Sequence, residues 1–147
     1  MDLGDRLEVD FIVLADRAEA INGKLYMMGG AWDRLGVGDF RQPIMFSIAL
    51  AVLVPWSMTN QSHKMAITMR DADGNPIDFR IEASFVTGRP PQLNGETQRV
   101  LLTMPAATVV LPGPGAFVVV VSINGQEMRS VRFAATRAVP NPAPPAA

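Results

Sequence analysis

The sequence predicts an all-β protein, an antiparallel two-sheet β-sandwich of about eight strands. Three observations carry that prediction. Asn124-Gly125 stands between the apolar-rich runs Ala116 to Ile123 and Gln126 to Thr136. Such a pair is the strongest short-range hairpin signal, because a type I′ turn needs φ > 0 at both central residues. Apolar residues alternate at Met65, Ile67, Met69 and again at Ile77, Phe79, Ile81, Ala83, Phe85, so each run has one greasy face that a second layer must cover. Turn chemistry recurs at intervals of roughly ten to fifteen residues, too close for helical crossovers.

Glu8 to Ala15 reads as the first strand, buried on both faces because Val9, Phe11, Ile12, Val13 and Leu14 are nearly continuous. Asp16 to Ala20 has the composition of a single helical turn, ended by Asn22-Gly23. Lys24 to Met28 is a second strand, and Gly29-Gly30 marks a bulge or a close backbone approach. Trp32 resumes the apolar pattern, and Gly36 to Gln42 is a connection. Pro43 and Pro55 bound the longest apolar run, Ile44 to Val54, which suits a central strand. It is about half the ~20 residues that a membrane helix needs.

Pro55 to Ser62 is a loop, and Lys64 to Arg70 a strand with one wet face. Asp71 to Pro76 is a turn by composition, and Ile77 to Phe85 completes a hairpin. Thr87 to Glu96, with Gly88, Pro90, Pro91, Asn94 and Gly95, is the longest loop. Thr97 to Met104 is a further strand, followed by a short stretch Thr108 to Leu111. After Pro112-Gly113-Pro114-Gly115 the closing strand is apolar at alternate positions and also at Val118 and Val120. That second greasy face means either a central strand or a subunit interface. The domain therefore spans residues 8–136, and the Pro/Ala-rich segment 137–147 is expected to be a disordered tail.

Of the 147 residues 48% are hydrophobic and 18% charged, enough for one core that folds without a partner. Cysteine is absent, which excludes disulfides, thiolate metal sites and thiol nucleophiles. The net charge of -1, from 13 basic and 14 acidic residues interspersed along the chain, leaves no basic field for nucleic acid. Arg129, Arg132 and Arg137 form the densest basic group, with Glu127 among them and only Phe133 to stack a base. The acidic start, Asp2, Asp5 and Glu8, is unlike a secretory signal, so the expected location is cytoplasmic, with no membrane insertion.

Chemistry-bearing residues are sparse. Asp71, Asp73 and Asn75 have the spacing of calcium ligands, with Glu82 where a bidentate carboxylate would stand. Pro76 replaces the glycine such a loop demands, and Glu82 lies on a strand, so these side chains are better used on their own backbone. His63, the single histidine, reads as a loop residue without a catalytic role, since Ser57 and Ser62 beside it lack a nucleophile-elbow pattern. Neither Gly29-Gly30 nor Gly113-Pro114-Gly115 opens a helix, as a phosphate cradle requires. Pairs such as Asp10 with Asp16, or Asp78 with Glu82, have no spacing that makes them acid and base. No catalytic residue and no cofactor is predicted. The contact candidates are Trp56 and Met58 in one loop, Arg89 and Leu93 in another, and Val118 and Val120 on the closing strand.

The order Ala15-Asp16, Gly23-Lys24-Leu25 with Gly29-Gly30, Asp71-Ala72-Asp73-Gly74 and Pro114-Gly115-Ala116-Phe117 resembles a group of small bacterial proteins of unknown function. They share an "ADYA" segment, "GKL", a central "D-x-DG" turn and a late "PG-x-Y" strand. The resemblance covers residues 9–134, with Arg17 and Phe117 in place of the two tyrosines. It implies a β-sandwich and supplies no activity, cofactor or catalytic residue to carry over. The functional expectation is a non-enzymatic protein-interaction or structural module that self-associates or binds another protein. The alternative is a small-ligand or carbohydrate module using loops 55–62 and 87–96.

Overall fold

The computed structural model describes residues 6–138, which form nine strands in two layers. They are β1 (Glu8–Ile21), β2 (Lys24–Gly30), β3 (Arg34–Val37), β4 (Ile44–Val54), β5 (Ser62–Asp71), β6 (Pro76–Val86), β7 (Gln98–Val109), β8 (Gly115–Ile123) and β9 (Gln126–Arg137). One sheet has the order β2-β1-β4-β7, the other β3-β9-β8-β5-β6. All pairings are antiparallel except β3 with β9, so the all-β sandwich is as expected with one strand more. The expected disordered tail falls, beyond Arg137 and Ala138, outside the described residues.

The inward residues follow the two-residue period. Phe46, Ile48, Leu50, Val52 and Val54 of β4 face Met65, Ile67 and Met69 of β5 and Phe117, Val119, Val121 and Ile123 of β8, every one at most 2% exposed. At one end Trp32, Phe46, Phe117 and Phe133 form an aromatic cluster, with Trp32 edge-on to Phe46 at 5.8 Å and to Phe133 at 6.0 Å. These rings tie both sheets to the β2–β3 crossover. Area buried this way is worth ~1.5–3 kcal/mol for each large side chain.

Several sequence expectations are corrected. Asp16 to Ala20 is not a helical turn: β1 continues to Ile21 and pairs with β2 across the Asn22-Gly23 hairpin, whose φ angles are 51° and 74°. Pairing with Lys24–Gly30 supplies backbone bonds that a lone turn of helix could not match. The connection 36–42 begins inside β3, whose residues lie beside Ala134 to Arg137 of β9. Thr97–Met104 and Thr108–Leu111 are not two segments. A register shift opposite Ser47 absorbs Pro105 and Ala106 within a single β7, and Ser47 Oγ donates to the Pro105 carbonyl at 2.8 Å. Proline is tolerated there because β7 is an edge strand.

The glycine pair does mark a close approach. Gly29 has φ +60°, and a Cβ on it would collide with the Asp16 carboxylate.

Candidate interaction surfaces

The loops 55–62 and 87–96 meet, and their contact candidates satisfy one another. A 3₁₀ turn at Trp56–Met58 leaves the Trp56 ring half-buried, with the Arg89 guanidinium 4.7 Å from its centroid. Arg89 Nε donates to Thr59 Oγ1 at 2.5 Å and Nη2 to the Trp56 carbonyl at 3.3 Å, while Asn60 N–H donates to the Thr87 carbonyl at 2.7 Å. Met58 packs half-buried against the core. Leu93 lies in a second 3₁₀ turn, Pro91–Leu93, and its side chain is outside the described residues.

His63 is a buried strand residue, 2% exposed, rather than a loop histidine. Its Nε2 faces the Met58 carbonyl at 2.7 Å, and its Nδ1 faces Asn124 Nδ2 at 3.1 Å. Asn124 Oδ1 already accepts the Lys64 N–H at 3.0 Å, so its amide nitrogen must donate to Nδ1, and Nε2 must carry the proton. Both ring nitrogens are thus committed to structure, and neither is directed at a reacting group. The β8–β9 hairpin tip is thereby latched onto the start of β5.

Asp71, Asp73 and Asn75 form a turn in which Asp71 Oδ1 accepts the N–H of Asp73 at 3.0 Å and of Asn75 at 2.8 Å. Glu82 is carried away along β6 and pairs with Arg80 at 2.7 Å. Among the described residues no three His, Cys, Asp or Glu side chains are grouped to hold a metal. The Asn75 backbone bond is the main cause holding the Asp71 carboxyl below the ordinary carboxylate range. A depressed folded-state pKa stabilises above the unfolded value and ceases to do so as pH falls through the folded one. The melting-temperature gap between wild type and Asp71→Ala is therefore expected to be widest near neutrality and to narrow as acid protonates Asp71, which a pH series of melts would check.

Val118 and Val120 lie on the middle strand of the five-stranded sheet. Val118 is flanked by Arg70 and Arg132, and Val120 by Thr68 and Ser130; Val118 is half-buried and Val120 only 2% exposed. Of the two readings of the greasy strand, the central-strand one describes its position. A groove of about 830 Å³ lies on the same sheet, lined by Lys64, Thr68, Arg80, Glu82, Ser122 and Glu127. Within it Arg80 pairs with Glu82, and Glu127 pairs with neighbouring Arg70 at 3.1 Å.

The apolar surface lies on the other sheet. Outward positions of β4 are Met45, Ser47, Ala49, Ala51 and Leu53, and the register sets Ala51 between Phe11 and Leu101 and Ala49 between Val13 and Thr103. Ala49 and Ala51 are fully buried at the floor, while Phe11, Val13, Leu53, Leu101 and Thr103 are half-buried around them. Ala15, Ala49, Val13 and Leu25 cluster apart from the main core. The bulge at Asp10 lets its carboxylate reach Arg99 Nη1 at 2.5 Å, so an ion pair links β1 to β7 at one end of the face. Sequence reasoning did not select this face. The two-sided apolarity of β1 and β4 was the available signal, and it reads equally as burial on both sides.

Among the described residues no helix is long and apolar enough to cross a membrane. Among curated proteins none matches the chain. A Pseudomonas fluorescens alkylpurine DNA glycosylase AlkC, solved bound to DNA containing an abasic site analog, aligns with 90% of this chain at 13% identity and a TM-score of 0.47. The alignment spans 30% of that protein. Residues 10–136 match a family described as Family of unknown function (DUF6941), and the chain belongs to that family.

Proposed function

We propose that the chain is a non-catalytic protein-interaction module whose contact surface is the outward face of the β2-β1-β4-β7 sheet. The observation that carries this reading is the run of uncharged outward positions at Phe11, Val13 and Ala15 of β1, Ser47, Ala49 and Ala51 of β4, and Leu101 and Thr103 of β7, with alanines at the floor and Leu53 closing the run where Glu8 and Arg99 flank it. An antiparallel sheet usually presents polar residues on its free side, so an apolar one is a surface that gains by being covered. The commitment of both His63 nitrogens supports a role without acid–base chemistry. A chain without cysteine gains nothing from an oxidising compartment, and we take the module to work in the cytoplasm.

The small-ligand reading has less support, because Trp56 and Arg89 are engaged with each other. Leu101→Lys is the test. It adds a charge at a half-buried outward position and should leave the melting temperature within a few degrees, while a partner retained by immobilised wild type is lost. Equal retention by both proteins would refute the assignment of this face.

A further inference from the structure

The four edge strands of the sandwich are not equally protected. β7 carries Arg99 and Pro105, β3 is only 4 residues long, and β6 opens on Pro76 and carries Asp78, Arg80 and Glu82. Charge, proline and shortness are the ordinary devices that stop an edge from pairing with another chain. β2, Lys24-Leu25-Tyr26-Met27-Met28-Gly29-Gly30, has a single charge at its first residue and no proline. Tyr26 is 55% exposed, Met27 41% and Met28 71%. β2 pairs with β1 from Ala15 to Ile21, whereas β4 pairs with β1 from Glu8 to Ala15, so the β2 hairpin extends as a two-stranded ribbon past that pairing. Two-stranded ribbons are marginal by themselves.

We propose that β2 pairs antiparallel with β2 of a second copy about a two-fold axis at Met27, joining the two four-stranded sheets into one. The proposal rests on the interaction-module reading and names a second copy of the chain as one partner. The sequence of the strand is self-complementary in this register, whose extended part runs from Lys24 to Met28 before Gly29 turns to φ +60°. Lys24 lies opposite Gly30, Leu25 opposite Gly29, Tyr26 opposite Met28, and Met27 opposite itself. Like charges nowhere oppose each other, and each Tyr26 ring meets a methionine sulfur, a favourable contact. On β1, Glu19 is the cross-strand neighbour of Tyr26 and Arg17 that of Met28. The dimer seam therefore has apolar residues at its centre and charges of opposite sign at the two ends of each row, Glu19 on one copy and Arg17 on the other. A two-fold axis makes the contact closed, so association stops at two.

Sedimentation equilibrium at micromolar concentration should give twice the chain mass for wild type. Met27→Lys and Met27→Glu should each give the single-chain mass and still melt cooperatively, because identical charges then face each other in the pair while each fold is kept, and an equimolar mixture of the two should regain the dimer. The chain has no cysteine, so Met27→Cys should form a covalent dimer under mild oxidation, and Tyr26→Cys, whose opposite is Met28, should not. Wild type at single-chain mass, Met27→Lys at dimer mass, or a mixture that stays monomeric would each overturn the proposal. Leu101→Lys should remain dimeric, so failure of the β2 pairing and failure of the outward-face reading give different results.

Discussion

Replacing Phe133 with alanine is expected to lower the unfolding free energy by about 3–5 kcal/mol, a large part of the stability of a domain this size. Phe133 is 1% exposed and belongs to β9 in the five-stranded sheet. Its ring stands 6.1 Å from Phe46 of the opposite sheet, 5.6 Å from Phe117 and 6.0 Å from Trp32 of the crossover. Three aromatic neighbours held by three different segments cannot all move to fill the space, so most of the cavity would persist. Phe133→Leu, which keeps most of the volume, should lose distinctly less. Urea unfolding with an unchanged slope and a lower midpoint is the expected result. A loss under about 1 kcal/mol would mean that the two sheets are not locked through this cluster.

Asn124→Ala should cost roughly 2–4 kcal/mol, although Asn124 is exposed at a hairpin tip. Three separate losses coincide. The residue holds φ at 52°, which a Cβ without a local polar contact tolerates poorly. The Lys64 N–H loses its acceptor, and buried His63 Nδ1 loses its donor. Asn124→Gly keeps the turn and loses only the side-chain bonds, so the difference between the two variants isolates the backbone term. Thermal melts of both proteins would show the order wild type, glycine, alanine. Alanine equal to wild type would contradict the latch.

Where local chemistry decides structure, the sequence was a sufficient guide. Asn124-Gly125 adopts positive φ in the hairpin it was expected to make, and Ile44–Val54 is the strand that Pro43 and Pro55 were expected to bound. Local chemistry misled where pairing partners decide. Asp16 to Ala20 has good helix formers, yet the β2 hairpin holds it extended. β3 is a short run with a parallel partner about a hundred residues away in the chain, which no window of sequence contains. Pro105 looked like a terminus because a bulge that keeps register around a proline depends on Ser47, which is distant in sequence.

The site residues divide in the same way. Trp56, Met58 and Arg89 were recognisable as loop residues of contact chemistry, and the structure brings Trp56 and Arg89 together. Their mutual engagement depends on two loops meeting, which neither loop's composition specifies. Val118 and Val120 were singled out because both faces of β8 are apolar, but the same is true of β1 and β4. Only strand order separates them: Arg70, Arg132, Thr68 and Ser130 flank the β8 pair, while apolar Phe11, Val13 and Leu101 flank the alanines of β4.

Carbene footprinting of Phe11, Leu53 and Leu101, in the purified protein and in an extract of its native cells, tests the contact-surface account most directly. Labelling in the purified protein that falls several-fold in the extract, while an exposed residue of the opposite sheet such as Ser84 stays equally labelled, is the predicted result. Equal labelling of Phe11, Leu53 and Leu101 in both preparations would contradict it.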